Sequence, residues 1–284
     1  MSLNKEPSAK IIADSVGLYG GAKSRLTTIQ LRYPRLVHSE LMTHRVFSRN
    51  ASSSRAIPVA KMIEQVRTDP AAPYVWTTNK PGMQGDVVTD PALIAKYDQM
   101  WIEAANQAAD NAEVLMGEGL HKQVVNRILE PFQWISVIVT ATEWTNWFEL
   151  RNHKDADPTI KRLAEVMLAA MEASKPRHLE AGEWHLPYVS KEEKSALPIA
   201  TLVKISAARC ARVSYLTHDG EFPDVDKDIA LYERLVGSRP LHASPIEHQA
   251  RVLNVSNDEI GLNGNFSPLW VQHRKLLETS RLVA

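Results

Sequence analysis

The chain has 284 residues and 44% hydrophobic content, enough to bury one large core or two modest ones, so one or two folded domains are expected. Lys plus Arg (33) balance Asp plus Glu (33); no bulk positive field recommends nucleic acid or an anionic membrane as partner, and any anion site must be a local cluster. The single Cys210 excludes an intramolecular disulfide framework and any CxxC zinc or redox motif, the N-terminus MSLNKEPSAK lacks an apolar h-region, and no stretch approaches the roughly 20 apolar residues of a membrane span, so a cytoplasmic protein is expected.

Thr27 to Tyr33 alternates apolar Ile29, Leu31 and Tyr33 with polar neighbours, the period of a half-buried strand, and Pro34 ends it. A helix through Leu36, Glu40 and Leu41 then delivers His44 and Arg45 into a Ser-rich loop. Pro70 to Asp90 holds Pro, Gly, Asn and Thr without periodicity and reads as a surface insertion. Asp90 and Pro91 open a long helix whose face runs through Leu93, Tyr97, Trp101, Ala104, Ala105, Ala108 and Ala112 to an end near Gly117 and Gly119.

Pro131 breaks a second helix containing Arg127. Trp134 to Thr140 is β-branched and fits either a strand or the core of a buried helix. Asp157 and Pro158 cap a helix that turns Ile160, Leu163, Ala164, Met167, Leu168 and Met171 inward. Pro176 to Pro198, polar and Pro-containing, is the best boundary, dividing the chain into residues 1–180 and 199–284. Beyond it, Leu202 to Val213 and Val225 to Val236 read as helices, the second capped by Asp224 and stopped by Gly237, and Gln249 to Val255 as a strand. There is no solenoid repeat.

Chemistry concentrates in a few blocks. THRVFSRNASSSR, Thr43 to Arg55, carries His44, Arg45, Ser48, Asn50, Ser52, Ser53, Ser54 and Arg55: guanidinium groups for bidentate phosphate recognition beside many hydroxyl and backbone donors. A solvated Ser-rich loop beside a basic helix end explains the same residues. Serine nucleophile chemistry is disfavoured, because nothing local pairs a general base with a carboxylate orienter. Arg127 and Arg151 sit among Phe132, Trp134, Trp144, Trp147 and Phe148, where a cation needs a carboxylate or phosphate; the internal partners on offer are Glu130, Glu143 and Glu149. His242 and His248 in HASPIEH have neither an H-E-x-x-H pattern nor a supporting Cys or Asp cluster, so no metal is expected. No G-x-G-x-x-G and no P-loop occurs.

THRVFSRNASSSR, NWFELR (Asn146 to Arg151), AARCARVSY (Ala207 to Tyr215) and HASPIEH (His242 to His248) together resemble the flavin-dependent thymidylate synthases. That family opens with its AARVS-type and H-x-[ST]-P-F-E-H-type blocks, whereas this chain closes with them, so a circularly permuted or partly duplicated order is implied. The family signature R-H-R-x(7)-S reads here as Thr43-His44-Arg45, seven residues, then Ser53. The resemblance implies an α+β fold with a mixed sheet flanked by helices, FAD as cofactor, methylenetetrahydrofolate and NADPH as co-substrates, and a homotetramer with sites between subunits. It implies C5 methylation of a pyrimidine deoxynucleotide monophosphate, dUMP to dTMP.

By the same resemblance His44, Arg45, Asn50, Asn146, Ser214, His242, Ser244 and Glu247 hold the flavin, and Ser53, Ser54, Arg55, Arg127 and Arg151 the nucleotide. Ser53, Arg55 and Arg151 are the positions at the reacting centre. Departures are Thr43 in place of an arginine, Ala51 in place of a glutamate and Asp157 in place of a glutamine. Glu40 stands where the family usually has glutamine, and a carboxylate there accepts from an exocyclic amine and repels a carbonyl, which favours dCMP. A hydroxymethylated product, a use suited to viruses that modify their DNA, and a non-catalytic nucleotide-binding protein of the same fold are the alternatives. Trp270 to Lys275 echoes a family run just before the signature, so Arg274 or Lys275 is a candidate to restore the charge missing at Thr43.

Overall fold

Two glycines turn the first hairpin. Gly20 and Gly21 both take positive φ (56° and 83°), which L side chains rarely adopt, and they join strand β1 (Ser8–Tyr19) to strand β2 (Ala22–Pro34). The structure, a computed structural model, describes residues 3–213, 224–237, 240–254 and 260–282. β2 is longer than its alternating stretch suggests, and β1 was not anticipated from sequence.

After β2 the chain passes through a 3₁₀ turn (Arg35–Val37) into α1 (His38–Met42), the edge strand β3 (Ser48–Ala51) and α2 (Val59–Thr68). Residues 70–90, expected as a surface insertion, form no helix or strand and hold one isolated bridge, Thr77 to Val87. α3 (Pro91–Gly117) starts where Asp90 accepts from the Ala92 backbone N–H, and it buries Ala105, Ala108, Ala109 and Ala112; Leu93 and Ala104 of the expected face are exposed. α4 (Lys122–Ile128) gives way at Pro131 to a 3₁₀ turn, and Trp134 to Thr140 resolves as strand β4 (Trp134–Ala141). α5 (Thr145–Arg151) and α6 (Pro158–Ala173) follow. The Asp157 carboxylate caps α6 through the N–H groups of Thr159 and Ile160, a local use for the residue that departs from the family pattern.

Strands β5 (Arg177–Leu179) and β6 (Trp184–His185) and helix α7 (Lys191–Ala196) occupy the polar crossing, then come α8 (Ile199–Arg212), α9 (Val225–Gly237), β7 (Ala250–Val252), β8 (Trp270–Gln272) and α10 (His273–Leu282). The expected strand from Gln249 is thus shorter, and its Val255 end lies outside the described residues. One mixed sheet runs β3-β4-β2-β1-β5, and a smaller one runs β6-β7-β8. Only β5 is parallel to its neighbour among these pairs. This is the α+β architecture of a mixed sheet flanked by helices. Among the described residues no helix is long and apolar enough to cross a membrane.

Both faces of the large sheet are covered. Ile29, Leu31 and Tyr33 of β2 and Ile135, Val137 and Val139 of β4 pack with Leu41, Trp147, Ile160, Leu163 and Met167 of the helices. On the other face Leu26 meets Leu179, Ala250, Val252 and Trp270, and Ile138 meets Cys210 and Val213. A central strand buried twice carries apolar residues on both parities, which is why Trp134 to Thr140 lacks an alternating pattern.

The second face also carries a polar seam. Ser15 Oγ lies 2.9 Å from His185 Nδ1, His185 Nε2 lies 2.8 Å from Thr28 Oγ1, Thr28 Oγ1 lies 2.7 Å from Thr140 Oγ1, and Thr140 Oγ1 lies 2.8 Å from His248 Nδ1. The row joins β1, β2 and β4 to the C-terminal segment with every member buried. Burial pushes both histidines down to about 3. Their unfolded value is roughly 6.5, so their contribution is whole above that pH and is lost as pH falls through it, because the unfolded chain takes protons the folded one refuses.

Thr140→Val, which leaves Thr28 and His248 each short of a partner, is therefore expected to cost about 2 kcal/mol in urea unfolding at pH 7. Between about pH 6.5 and 4 the wild-type chain should lose stability steadily; a flat profile there contradicts the neutral seam.

Candidate functional site

Three local arrangements grow out of the Thr43–Arg55 stretch. The first gathers at the end of α1 and of α5. Arg151 donates from Nε to His44 Nε2 (3.1 Å), from Nη1 to Glu40 Oε2 (2.8 Å), and from Nη2 to Thr43 Oγ1 (3.2 Å) and the Glu40 carbonyl (3.4 Å). The first of these bonds requires an unprotonated Nε2. His44 is buried, stacks on Phe47 and meets Trp147 edge-on at 4.8 Å. Burial lowers its pKa, and the charges of Arg151 and Arg49 push it the same way. Desolvation raises that of Glu40 against the pull of Arg151, and Asp157 adds to the rise.

The second arrangement shapes the serine loop. Ser48–Ala51, expected as part of a loop, adds to the sheet edge through β4, with Ser48 opposite Thr140 and Asn50 opposite Ile138. Beyond it the Ser52 backbone N–H donates to the Ser136 carbonyl at 2.8 Å, and the Ser52 hydroxyl accepts from the Ser136 N–H at 3.2 Å. Buried Asn126 donates to the carbonyls of Ser54 (2.6 Å) and Ile57 (3.0 Å). Ser54 donates to Glu130 (3.0 Å), which also holds Arg35 (3.0 Å) and Arg127 (2.9 Å). Ser52 and Ser54 thus point inward, and Ser53 and Arg55 are left exposed.

The third arrangement is where the C-terminal segment meets β3. Ser244 donates to Asn50 Oδ1 (3.0 Å), whose amide donates to the Cys210 carbonyl (2.8 Å). Ser244 opens a 3₁₀ turn (Ser244–Glu247) that ends at Glu247, and that carboxylate pairs with Arg274. Gln272 donates to the Glu247 carbonyl at 3.1 Å and ties it to Ser48 at 3.3 Å. Burial raises the pKa of Glu247 while Arg274 opposes the rise.

The sequence-predicted residues are distributed accordingly. Glu40, His44 and Arg151 come together, as do Asn50 and Ser244. Arg127 takes the internal partner Glu130, one of those the sequence offered. Asn146 and His242 are exposed, and Ser214 lies outside the described residues. Arg274 is held by Glu247 and Glu278, and Lys275 by Glu278 at 2.7 Å, so neither is a spare cation at Thr43. Sequence reasoning passed over Arg49, which bonds the carbonyls on either side of Thr43; an arginine inside a loop block gave no signal until β3 fixed its direction. A groove of about 310 Å³ between the 70–90 segment and the start of α6, lined by Tyr74, Met83, Lys154, Asp157 and Lys161 among others, contains none of the predicted site residues.

Among the described residues Arg45, Arg49 and Arg55 have no carboxylate partner, unlike Arg25, Arg32, Arg67, Arg127, Arg151 and Arg162. Guanidinium groups so placed, with the exposed Ser53 hydroxyl, are the donor set a phosphate-bearing ligand takes, which fits both a nucleotide and the diphosphate of FAD. No group of His, Cys, Asp and Glu residues suited to a metal occurs among the described residues.

The fold is α+β, and three arginines of its edge strand and the loops beside it, Arg45, Arg49 and Arg55, are without a carboxylate partner among the described residues. Residues 25–177 match the family profile Thy1, thymidylate synthase complementing protein, and the chain belongs to that family. The match contains the Thr43–Arg55 and Asn146–Arg151 blocks, and the Ala207–Tyr215 and His242–His248 blocks lie beyond it. No curated protein matches the chain. Among solved structures it is similar to a UMP/dUMP methylase, PolB, from Streptomyces cacaoi bound with 5-Br UMP, at 15% identity and TM-score 0.50, covering 60% of this chain and 91% of that one. The same enzyme bound with 5-Br dUMP gives 16% identity and TM-score 0.48 over 60% and 92%. The first likeness speaks for the fold.

The Glu40–Arg151 pair is partly solvated, with side chains 34% and 20% exposed. Screening keeps such pairs small, so Glu40→Gln, which retains an acceptor for Nη1, is expected to change the unfolding free energy by less than about 1 kcal/mol. Urea titration at pH 7 checks it.

Proposed function

We propose that this protein transfers a one-carbon unit to C5 of a pyrimidine deoxynucleotide monophosphate, dUMP to dTMP, with FAD as cofactor and methylenetetrahydrofolate and NADPH as co-substrates. Family membership supports the reaction class. The observation that carries it in this chain is the exposed pair Ser53 and Arg55, held outward by inward-facing Ser52 and Ser54 and left without an internal carboxylate. Ser53 and Arg55 bind the nucleotide phosphate. The fixed position of Arg151 sets the far end of the site, with Glu40 and His44 beside it.

Bound flavin supplies the redox and one-carbon carrier chemistry that no side chain provides. The chain's own residues position and polarise: Arg45 offers charge to the flavin, and the Asn50–Ser244 pair and Glu247 build the wall on its side. No protein nucleophile is assigned. Cys210 is fully buried, and desolvation raises its thiol pKa, so it stays a protonated, inert group. We infer that residues 199–284 complete the fold begun by 1–180, since Asn50 meets both Cys210 and Ser244 and the seam crosses between the two at Thr140 and His248. By resemblance to the family we place this activity in a cytoplasmic homotetramer with sites between subunits.

A second reading concerns the base. Glu40 presents an acceptor-only carboxylate beside Arg151, and such a group accepts from the exocyclic amine of cytosine and repels the carbonyl of uracil. On that reading dCMP replaces dUMP as substrate, and Glu40→Gln shifts preference toward dUMP by about tenfold, measured as the ratio of kcat/KM for the two nucleotides.

Reconstitution with FAD is expected to give a yellow protein that methylates one of the two nucleotides. Arg55→Ala should weaken nucleotide binding by about tenfold or more while stability stays within about 0.5 kcal/mol, as measured by calorimetric titration and thermal unfolding. A colourless protein that binds nucleotide with unchanged affinity after reconstitution points instead to a non-catalytic nucleotide-binding protein.

A further inference from the structure

We propose that Arg49 is a phosphate-binding residue of the site, standing in space for the arginine that the sequence lacks at Thr43. The inference rests on the nucleotide and flavin reading above and adds a residue to it.

Arg49 lies on β3, and its Nη1 donates to the carbonyls of Met42 (2.7 Å) and His44 (3.3 Å), the two residues flanking Thr43. Its guanidinium is therefore carried to the backbone at Thr43 from a neighbouring strand. One nitrogen makes both bonds, and Nε and Nη2 have no acceptor among the described residues. The other cations nearby are spoken for: Arg151 is spread over Glu40, Thr43 and His44, and Arg274 over Glu247 and Glu278.

Arg49 is half-buried, and no carboxylate lies within ion-pair distance of it among the described residues. Taking a guanidinium partly out of water without a counter-ion is unfavourable, and an oxyanion supplied from outside relieves the cost. Desolvation lowers the pKa of Arg49, with Glu247 acting in the opposite direction from a distance. The free edge formed by Nε and Nη2 has the fork geometry that takes two oxygens of one phosphate. Three ligands of the proposed reaction carry phosphate, the flavin dinucleotide, NADPH and the pyrimidine monophosphate, and the first and last are the two that the reading above brings to this stretch.

The test titrates FAD, riboflavin, dUMP and deoxyuridine into wild type, Arg49→Gln and the double variant Arg49→Gln with Thr43→Arg, with thermal unfolding of each. Arg49→Gln is expected to weaken FAD or dUMP by about tenfold or more, leaving the phosphate-free partner of that ligand unchanged; which of the two falls identifies the phosphate. Thr43→Arg in the double variant is expected to restore most of the loss, since it returns the cation to the place from which Arg49 supplies it. Arg49→Gln binding both FAD and dUMP within about twofold of wild type overturns the inference, as does an equal loss of phosphorylated and phosphate-free ligands. If Arg49→Gln does not fold, Arg49→Lys, which keeps a donor for the two carbonyls, takes its place, with a phosphate-dependent loss of about threefold or more expected and none overturning the inference. A wild-type protein that binds neither FAD nor dUMP overturns the functional reading and this inference with it; binding that is indifferent to Arg49 overturns only the inference.

Discussion

The seam of hydroxyls and imidazoles across the second face of the large sheet is the constraint from which the rest follows. Ser15, Thr28 and Thr140 put polar groups on the face that also buries Leu26 and Ile138. Left against apolar cover, each would forfeit its hydration for nothing. His185 from the polar crossing and His248 from the C-terminal segment satisfy them. Hydrogen bonds, unlike apolar contacts, have a direction, so the seam fixes where the segment sits as well as that it sits there. At the end of the row His248 Nε2 is buried with no partner among the described residues.

That placement delivers the site. His248 follows Glu247 directly, so anchoring its ring on Thr140 sets the 3₁₀ turn against β3 and lets Ser244 reach Asn50. β3 is the outer strand of the sheet, pairing only with β4. Successive side chains on a strand point to opposite faces. Ser48 and Asn50 therefore serve the C-terminal segment, and Arg49 between them serves the α1 end, where Arg151 and His44 meet. One short edge strand thus joins two groups of residues that belong to distant parts of the sequence.

Much of this was readable in advance, for identifiable reasons. Asp90-Pro91 and Asp157-Pro158 announced α3 and α6 because capping is local, and the carboxylates do accept the first-turn N–H groups. Pro131 ended α4 for an equally local reason. Trp134 to Thr140 was ambiguous because a strand covered on both faces loses its period, and β1 was missed because its burial pattern is irregular and its register shifts between Ile11 and Ala13. The site blocks were legible as motifs, and Arg127 beside Glu130 as a pair. Arg49 was not, since its meaning depends on the alternation of a strand that looked like loop.

The distribution of charge carries the argument furthest. With equal numbers of acidic and basic residues, every cation in this chain has a carboxylate available in principle. Arg209 shows how fully that supply is used in the interior: it is held by Asp228 at 2.8 Å and Glu193 at 2.6 Å, with Arg212 sharing Asp228. Against that background the isolation of Arg45, Arg49 and Arg55 within one stretch is not a shortage of acids. Folding brings Glu40 to Arg151 and Glu130 to Arg35 and Arg127, and it leaves this stretch without. Arg45 and Arg55 are exposed and keep their hydration, whereas Arg49 is half-buried and gives up part of it. The phosphate proposed above as the ligand of Arg55 and Arg49 would supply there what the fold leaves out, with the same bidentate geometry at both.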